Sequence, residues 1–148
     1  MTPTRSGFSA FCALDLALII GLVGCSGPDT ARVIGRLNGS QEHSATVDLP
    51  PSIVAGRAFT ATITTYGSSN CTQPAWEQVT RTGALVRVVP IDEVATEGGC
   101  LRNLAPFAHH PRLQLDVVGP AVLRVVGYFV QDVEQVLDSV DVPIDVQP

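Results

Sequence analysis

The apolar runs beyond residue 30 are short, most of them alternate inward and outward side chains, and Gly or Pro interrupts them before a helix could form. The clearest case is residues 57–66. There Phe59, Ala61 and Ile63 alternate with Thr60, Thr62 and Thr64 before Gly67-Ser68-Ser69-Asn70 breaks the run. β-branched side chains crowd a helix but suit a pleat, and a period of two places one set on a buried face. Residues 112–118 alternate in the same way through Leu113, Leu115 and Val117, as do residues 140–146 through Val140, Val142, Ile144 and Val146. Pro143 lacks a ladder donor, so the last strand belongs at an edge. Residues 85–91 are almost continuously apolar, the pattern of a strand near the middle of a sheet. A second strong strand is expected at 121–130, and weaker ones at 32–37, 45–49 and 76–81.

Short strands at close spacing without a convincing helix point to an all-β chain. The pattern is similar to immunoglobulin-like or fibronectin type III-like modules, and that resemblance covers most of residues 31–148. It implies an antiparallel immunoglobulin-like β-sandwich of about seven or eight strands. Apolar residues at 45% and charged residues at 16% agree with a folded chain rather than a disordered one.

A different signal lies upstream. Arg5 is followed by an apolar run over residues 16–24, too short for a transmembrane helix and of the length of a signal-peptide core. It ends in Leu22-Val23-Gly24-Cys25, which resembles the lipobox of bacterial lipoproteins. The resemblance implies cleavage before Cys25, a lipid on its sulfur, and a membrane-anchored protein that does not span the bilayer. The expected organisation is a signal peptide at 1–24, a lipidated cysteine and tether at 25–30, and one domain at 31–148. Ser26 in place of Asp favours the outer membrane where the organism has one. With Cys12 removed and Cys25 occupied, Cys71 and Cys100 remain as the expected disulfide of an oxidising compartment.

The net charge of −5 and the lack of a basic strip exclude nucleic acid as a partner. All nine basic residues are Arg, so lysine nucleophiles and Schiff bases are excluded as well. No G-x-S-x-G elbow, H-E-x-x-H, phosphate-cradling loop or EF-hand is present, and no cofactor motif was found. The acidic set Asp132, Glu134, Asp138, Asp141 and Asp145 matches no calcium loop and reads as a solvated edge. Asn38-Gly39-Ser40 and Asn70-Cys71-Thr72 fit the glycan acceptor pattern, which a bacterial lipoprotein would leave bare.

Residues 92–111 hold Gly, Pro, His and acidic side chains without sustained period and are expected to form a long loop. If strands alternate in direction, this loop shares one end of the molecule with residues 67–75, and the tether enters at the opposite end. Phe107, His109 and His110 on that loop are then candidates for contact with an envelope partner. The expected role is non-catalytic binding or envelope structure. The alternative is a small metal carrier using His109 or His110 with Asp92 or Glu93.

Overall fold

The computed structural model describes residues 29–39, 45–131 and 134–148. The described chain is all-β: β1 (Thr30–Ile34), β2 (Val47–Asp48), β3 (Ile53–Val54), β4 (Ala58–Thr60), β5 (Thr62–Ser68), β6 (Thr72–Thr82), β7 (Leu85–Ala95), β8 (Leu104–His109), β9 (Arg112–Gln114), β10 (Gly119–Gln131) and β11 (Glu134–Gln147). The expected signal peptide, the lipobox-like stretch and Cys25 lie outside the described residues.

β7, the most apolar run, is the hub of the large sheet. β6 pairs along one edge from Leu85 to Val94, while β10 and then β1 share the other edge. The order in this sheet is β1-β7-β10-β11-β3, with β6 added beside β7. Facing it are β2-β5-β8 and the short pair β4-β9. These last two sheets form one ribbon interrupted near Pro111, where Ala61 N–H reaches the Pro111 carbonyl at 3.2 Å. Proline has no N–H to return, so the ladder breaks there. The expected strand at 57–66 is thus real in extent but split at Ala61.

The core lies between the large sheet and this ribbon. Ala61, Ile63, Leu113 and Leu115 from the ribbon meet Val86, Val88, Leu123, Val125, Ile144 and Val146 from the sheet. Phe59, Val140 and Val142 pack against them, so the inward sets read from alternation are inward in the structure, except that Val117 lies beyond the end of β9 and outside this core. Pro143 sits exposed on β11, unpaired on its outer side until β3 joins at Val146.

Three expectations need correction. The arrangement is not purely antiparallel, because β10 runs parallel to β7 and β11 parallel to β3. Between β7 and β10 the chain leaves the large sheet to make β8 and β9, and it returns at the β7 edge in the same direction. Second, residues 92–111 are not a long loop. β7 continues through Asp92 to Ala95 and β8 occupies Leu104–His109, which leaves only 96–103 as a connection. Its polar composition hid two strands because their inward positions carry Asp92 and His109 in place of aliphatic residues.

Third, the chain enters at the same end as the disulfide. β1 is antiparallel to β7, with Thr30 opposite Ala95, and Thr96 donates both its N–H and its hydroxyl to the Asp29 carbonyl. The expected strand 32–37 is not one straight segment. It is antiparallel to β7 as far as Ile34, yet Arg36 bridges Tyr128 in parallel fashion, so the chain turns at Gly35. Glycine is required there because a Cβ would collide with the Thr65 side chain. Gly127 is required opposite, where a Cβ would sit 2.5 Å from Leu37 Cγ and 2.7 Å from the Gly35 carbonyl. Beyond the turn, Leu37 is fully buried and bonds to the Tyr128 carbonyl, while the Arg36 carbonyl accepts from Tyr66 of β5. This short stretch therefore stitches the large sheet to the ribbon.

Candidate functional site

Strand alternation decides where the residues of the 92–111 stretch go. On β7 the inward series Val86, Val88 continues to Asp92, which is 2% exposed. Glu93 points the other way and meets Gln73 at 3.2 Å and Arg32 at 3.4 Å. On β8 the inward series ends at His109, 1% exposed, while His110 is at the surface with its ring 3.4 Å from the Thr62 hydroxyl. Phe107 is half-buried opposite Thr65. His109 is therefore not available to a partner, and the expected contact surface of Phe107, His109 and His110 is divided between the interior and the exterior. The expected metal set divides in the same way. Asp92 and His109 come together, Glu93 and His110 do not, and no group of three His, Cys, Asp or Glu side chains among the described residues is arranged to hold a metal ion.

Asp92 and His109 instead form a buried polar cluster with residues that the sequence reading passed over. Asp92 Oδ1 lies 2.9 Å from His109 Nε2 and accepts a hydrogen bond from the Thr65 hydroxyl at 3.1 Å. The other ring nitrogen, Nδ1, is buried 3.3 Å from Glu77 Oε1 but without hydrogen-bond alignment. Glu77 Oε1 accepts the His110 N–H at 3.2 Å. Only a doubly protonated ring could donate to both carboxylates, since a neutral one has a single N–H. A nucleophilic triad needs a hydroxyl or thiol on the imidazole nitrogen away from the acid. Here a second carboxylate stands at that position, and the Thr65 hydroxyl bonds to the acid itself. The geometry orders β5, β6, β7 and β8 around one ring.

Asp92 also lines a cleft of about 450 Å³ at the disulfide end of the molecule, with Arg36, Tyr66, Tyr128, Leu104 and Gln135. Arg36 is held by Nε to Asn38 Oδ1 at 3.3 Å and by Nη2 to the Gly39 carbonyl at 2.9 Å. Burial lowers its pKa from the usual arginine value. Asn38, 3% exposed, acts as a false strand residue: its amide donates to the Val130 carbonyl and its oxygen accepts the Val130 N–H. Nothing in the local sequence reveals this, because a side chain that completes a ladder leaves no periodic trace. The two tyrosines, 62 residues apart in the chain, gave no local signal either.

The expected disulfide is present between Cys71 and Cys100, whose Cα atoms are 5.6 Å apart. Around it, Asn70 accepts the Leu101 N–H at 2.8 Å and donates to the Gly99 carbonyl at 3.0 Å, while Ser69 reaches Asn103. The amides of Asn38 and Asn70 are thus both used within the fold. Compared with known proteins, the chain matches no family model, no curated protein and no solved structure.

Proposed function

We propose that this chain is a lipid-anchored protein of the cell envelope, built on an immunoglobulin-like β-sandwich and serving a non-catalytic binding or structural role. In this reading the lipid on Cys25 holds it to the membrane, in the outer membrane where there are two. The observation that carries the reading is the use of the cysteines. Cys71 and Cys100 are spent on each other, which suits an oxidising compartment, and Leu22-Val23-Gly24-Cys25 closes an apolar run as a lipobox would. Two acyl chains on one protein anchor stably, whereas one is marginal.

The sandwich reading is supported by a core enclosed between a large sheet and a facing ribbon, with parallel pairing limited among the described residues to the rejoining of β10, the edge contact of β3 and the single Arg36–Tyr128 bridge. The non-catalytic reading is supported by the buried imidazole, which faces carboxylates on both sides. Its test is Cys25→Ser followed by cell fractionation. The wild-type protein is expected with the membranes and the variant in the soluble fraction. A variant that stays with the membranes to the same degree as wild type overturns the anchor.

A further inference from the structure

The chain contains only two tyrosines, and both line the same cleft beside Arg36. Leu104, Val33 and Val130 supply aliphatic wall, and Val33 and Leu104 are 40% and 38% exposed, so this apolar surface is open to solvent. Arg36 differs from Arg32 and Arg124 in its neighbours. Arg32 meets Glu93 and Arg124 meets Asp141, but Arg36 has no carboxylate partner among the described residues. Its guanidinium spends one N–H on an amide oxygen and one on a backbone carbonyl, both neutral, and it is desolvated enough for its pKa to fall. Five N–H donors are available to guanidinium, so three remain, in a planar fork that fits a carboxylate. A partly buried cation without a counter-charge gains most from an anion that brings one.

We propose that this cleft binds a small organic carboxylate, with the anionic group on Arg36 and an apolar or aromatic body between Tyr66 and Tyr128. The volume suits this: pockets for small molecules begin at about 300 Å³, are mostly apolar, and carry a few placed polar groups. Asp92 at the edge of the cleft disfavours a second negative charge, so the ligand is a monoanion rather than a dicarboxylate or a phosphate. The inference deepens the binding role proposed above. It stands apart from the anchor, since the fractionation of Cys25→Ser does not involve Arg36.

The test uses benzoate and cyclohexanecarboxylate as probes, each against its uncharged amide, titrated into the purified protein carrying ring-labelled tyrosine. With two tyrosines in the chain, the spectrum reports Tyr66 and Tyr128 directly. Both signals are expected to shift and saturate with the acids. The amides should bind roughly ten-fold more weakly or worse, which is the size of a charge-assisted hydrogen bond. Arg36→Gln should remove the preference for acid over amide, while Arg36→Lys, which keeps the charge and loses the fork, should retain part of it. Should Arg36→Gln fail to fold, the comparison of acid and amide on the wild-type protein still decides the matter. Equal binding of acid and amide, tyrosine signals unmoved by either acid, or an unchanged preference in a folded Arg36→Gln protein overturns the proposal.

Discussion

Replacing Asp92 with Ala tests the buried cluster most directly, because one oxygen serves two neighbours. Oδ1 faces His109 Nε2 at 2.9 Å and accepts the Thr65 hydroxyl at 3.1 Å, and all three residues are essentially inaccessible to water. Without the carboxylate, a buried ring nitrogen and a buried hydroxyl lose their partner. Each such group costs about 1–3 kcal/mol, so the variant should lose about 3 kcal/mol or more. Thr65→Val removes the hydroxyl while keeping its shape, and should cost only about 1 kcal/mol. The pair Asp92→Ala and His109→Ala should be non-additive by about 1.5–3 kcal/mol, since each single change leaves the other residue stranded. Urea unfolding followed by far-UV circular dichroism measures all of these, with an unchanged slope as the check on two-state behaviour. A loss below about 0.5 kcal/mol for Asp92→Ala, or a pair that simply adds, would refute the claim that these residues act as one unit.

Three further outcomes follow from other parts of the fold. Replacing Cys71 and Cys100 by Ser opens a loop with a sequence separation of 29 and should cost about 3.6 kcal/mol in the chain-entropy model. Thermal melts with and without reductant read this, and a reductant-insensitive wild-type protein would contradict it. Gly127→Ala drives a Cβ against Leu37 and the Gly35 carbonyl, and should destabilise by about 1–3 kcal/mol. An unchanged melting temperature would show that the approach of β10 to the Gly35 turn is looser than described. Asp141 is held below the usual carboxylate pKa, first by its hydrogen bond from Arg124, with bonds of 2.7 Å to each oxygen. A depressed folded-state pKa contributes stability above the unfolded-state value, and that contribution is lost as pH falls through the folded one. Carboxyl NMR should find Asp141 titrating at lower pH than in an Arg124→Gln variant, and identical titrations would sink the assignment.

How much of this was legible in the sequence depended on what filled the inward positions. Where they are apolar, as in Phe59, Ala61 and Ile63 or in Val140, Val142, Ile144 and Val146, alternation located both the strand and its buried face. Where they are polar it failed. The end of β7 and the whole of β8 read as loop because Asp92 and His109 occupy core positions, and a buried ion-like pair looks like a solvated one until its neighbours are known. Pro74 and Pro106 added to the error by standing inside strands, the first next to a register shift between Pro74 and Trp76. Order along the chain was also a poor guide to direction at Gly35. One glycine within an apolar run carries no mark of whether the run is straight. The disulfide was legible, since it needed only arithmetic on four cysteines and a compartment.

The turn at Gly35 bears on how the protein would stand on a membrane. Strand counting put the tether and the disulfide at opposite ends, but Thr30 pairs with Ala95 and Asp29 is bonded to Thr96, which brings them together. From Cys25 to Asp29 there are four peptide steps, which span at most about 14 Å. With a lipid on Cys25, the disulfide end and its cleft would therefore lie close to the headgroups. The turn between β6 and β7 would lie farther out by the length of β7, roughly 33 Å for 11 residues at the usual rise. A fluorophore at Arg102→Cys should then transfer energy to a headgroup acceptor far more efficiently than one at Thr82→Cys, in the lipidated protein reconstituted into vesicles. Greater transfer from position 82 would reverse this orientation. Equal transfer from both would mean that the domain lies on its side. If the expected order is found, a ligand for the Arg36 cleft must reach it along the membrane surface, where an amphiphilic carboxylate with an apolar body is concentrated.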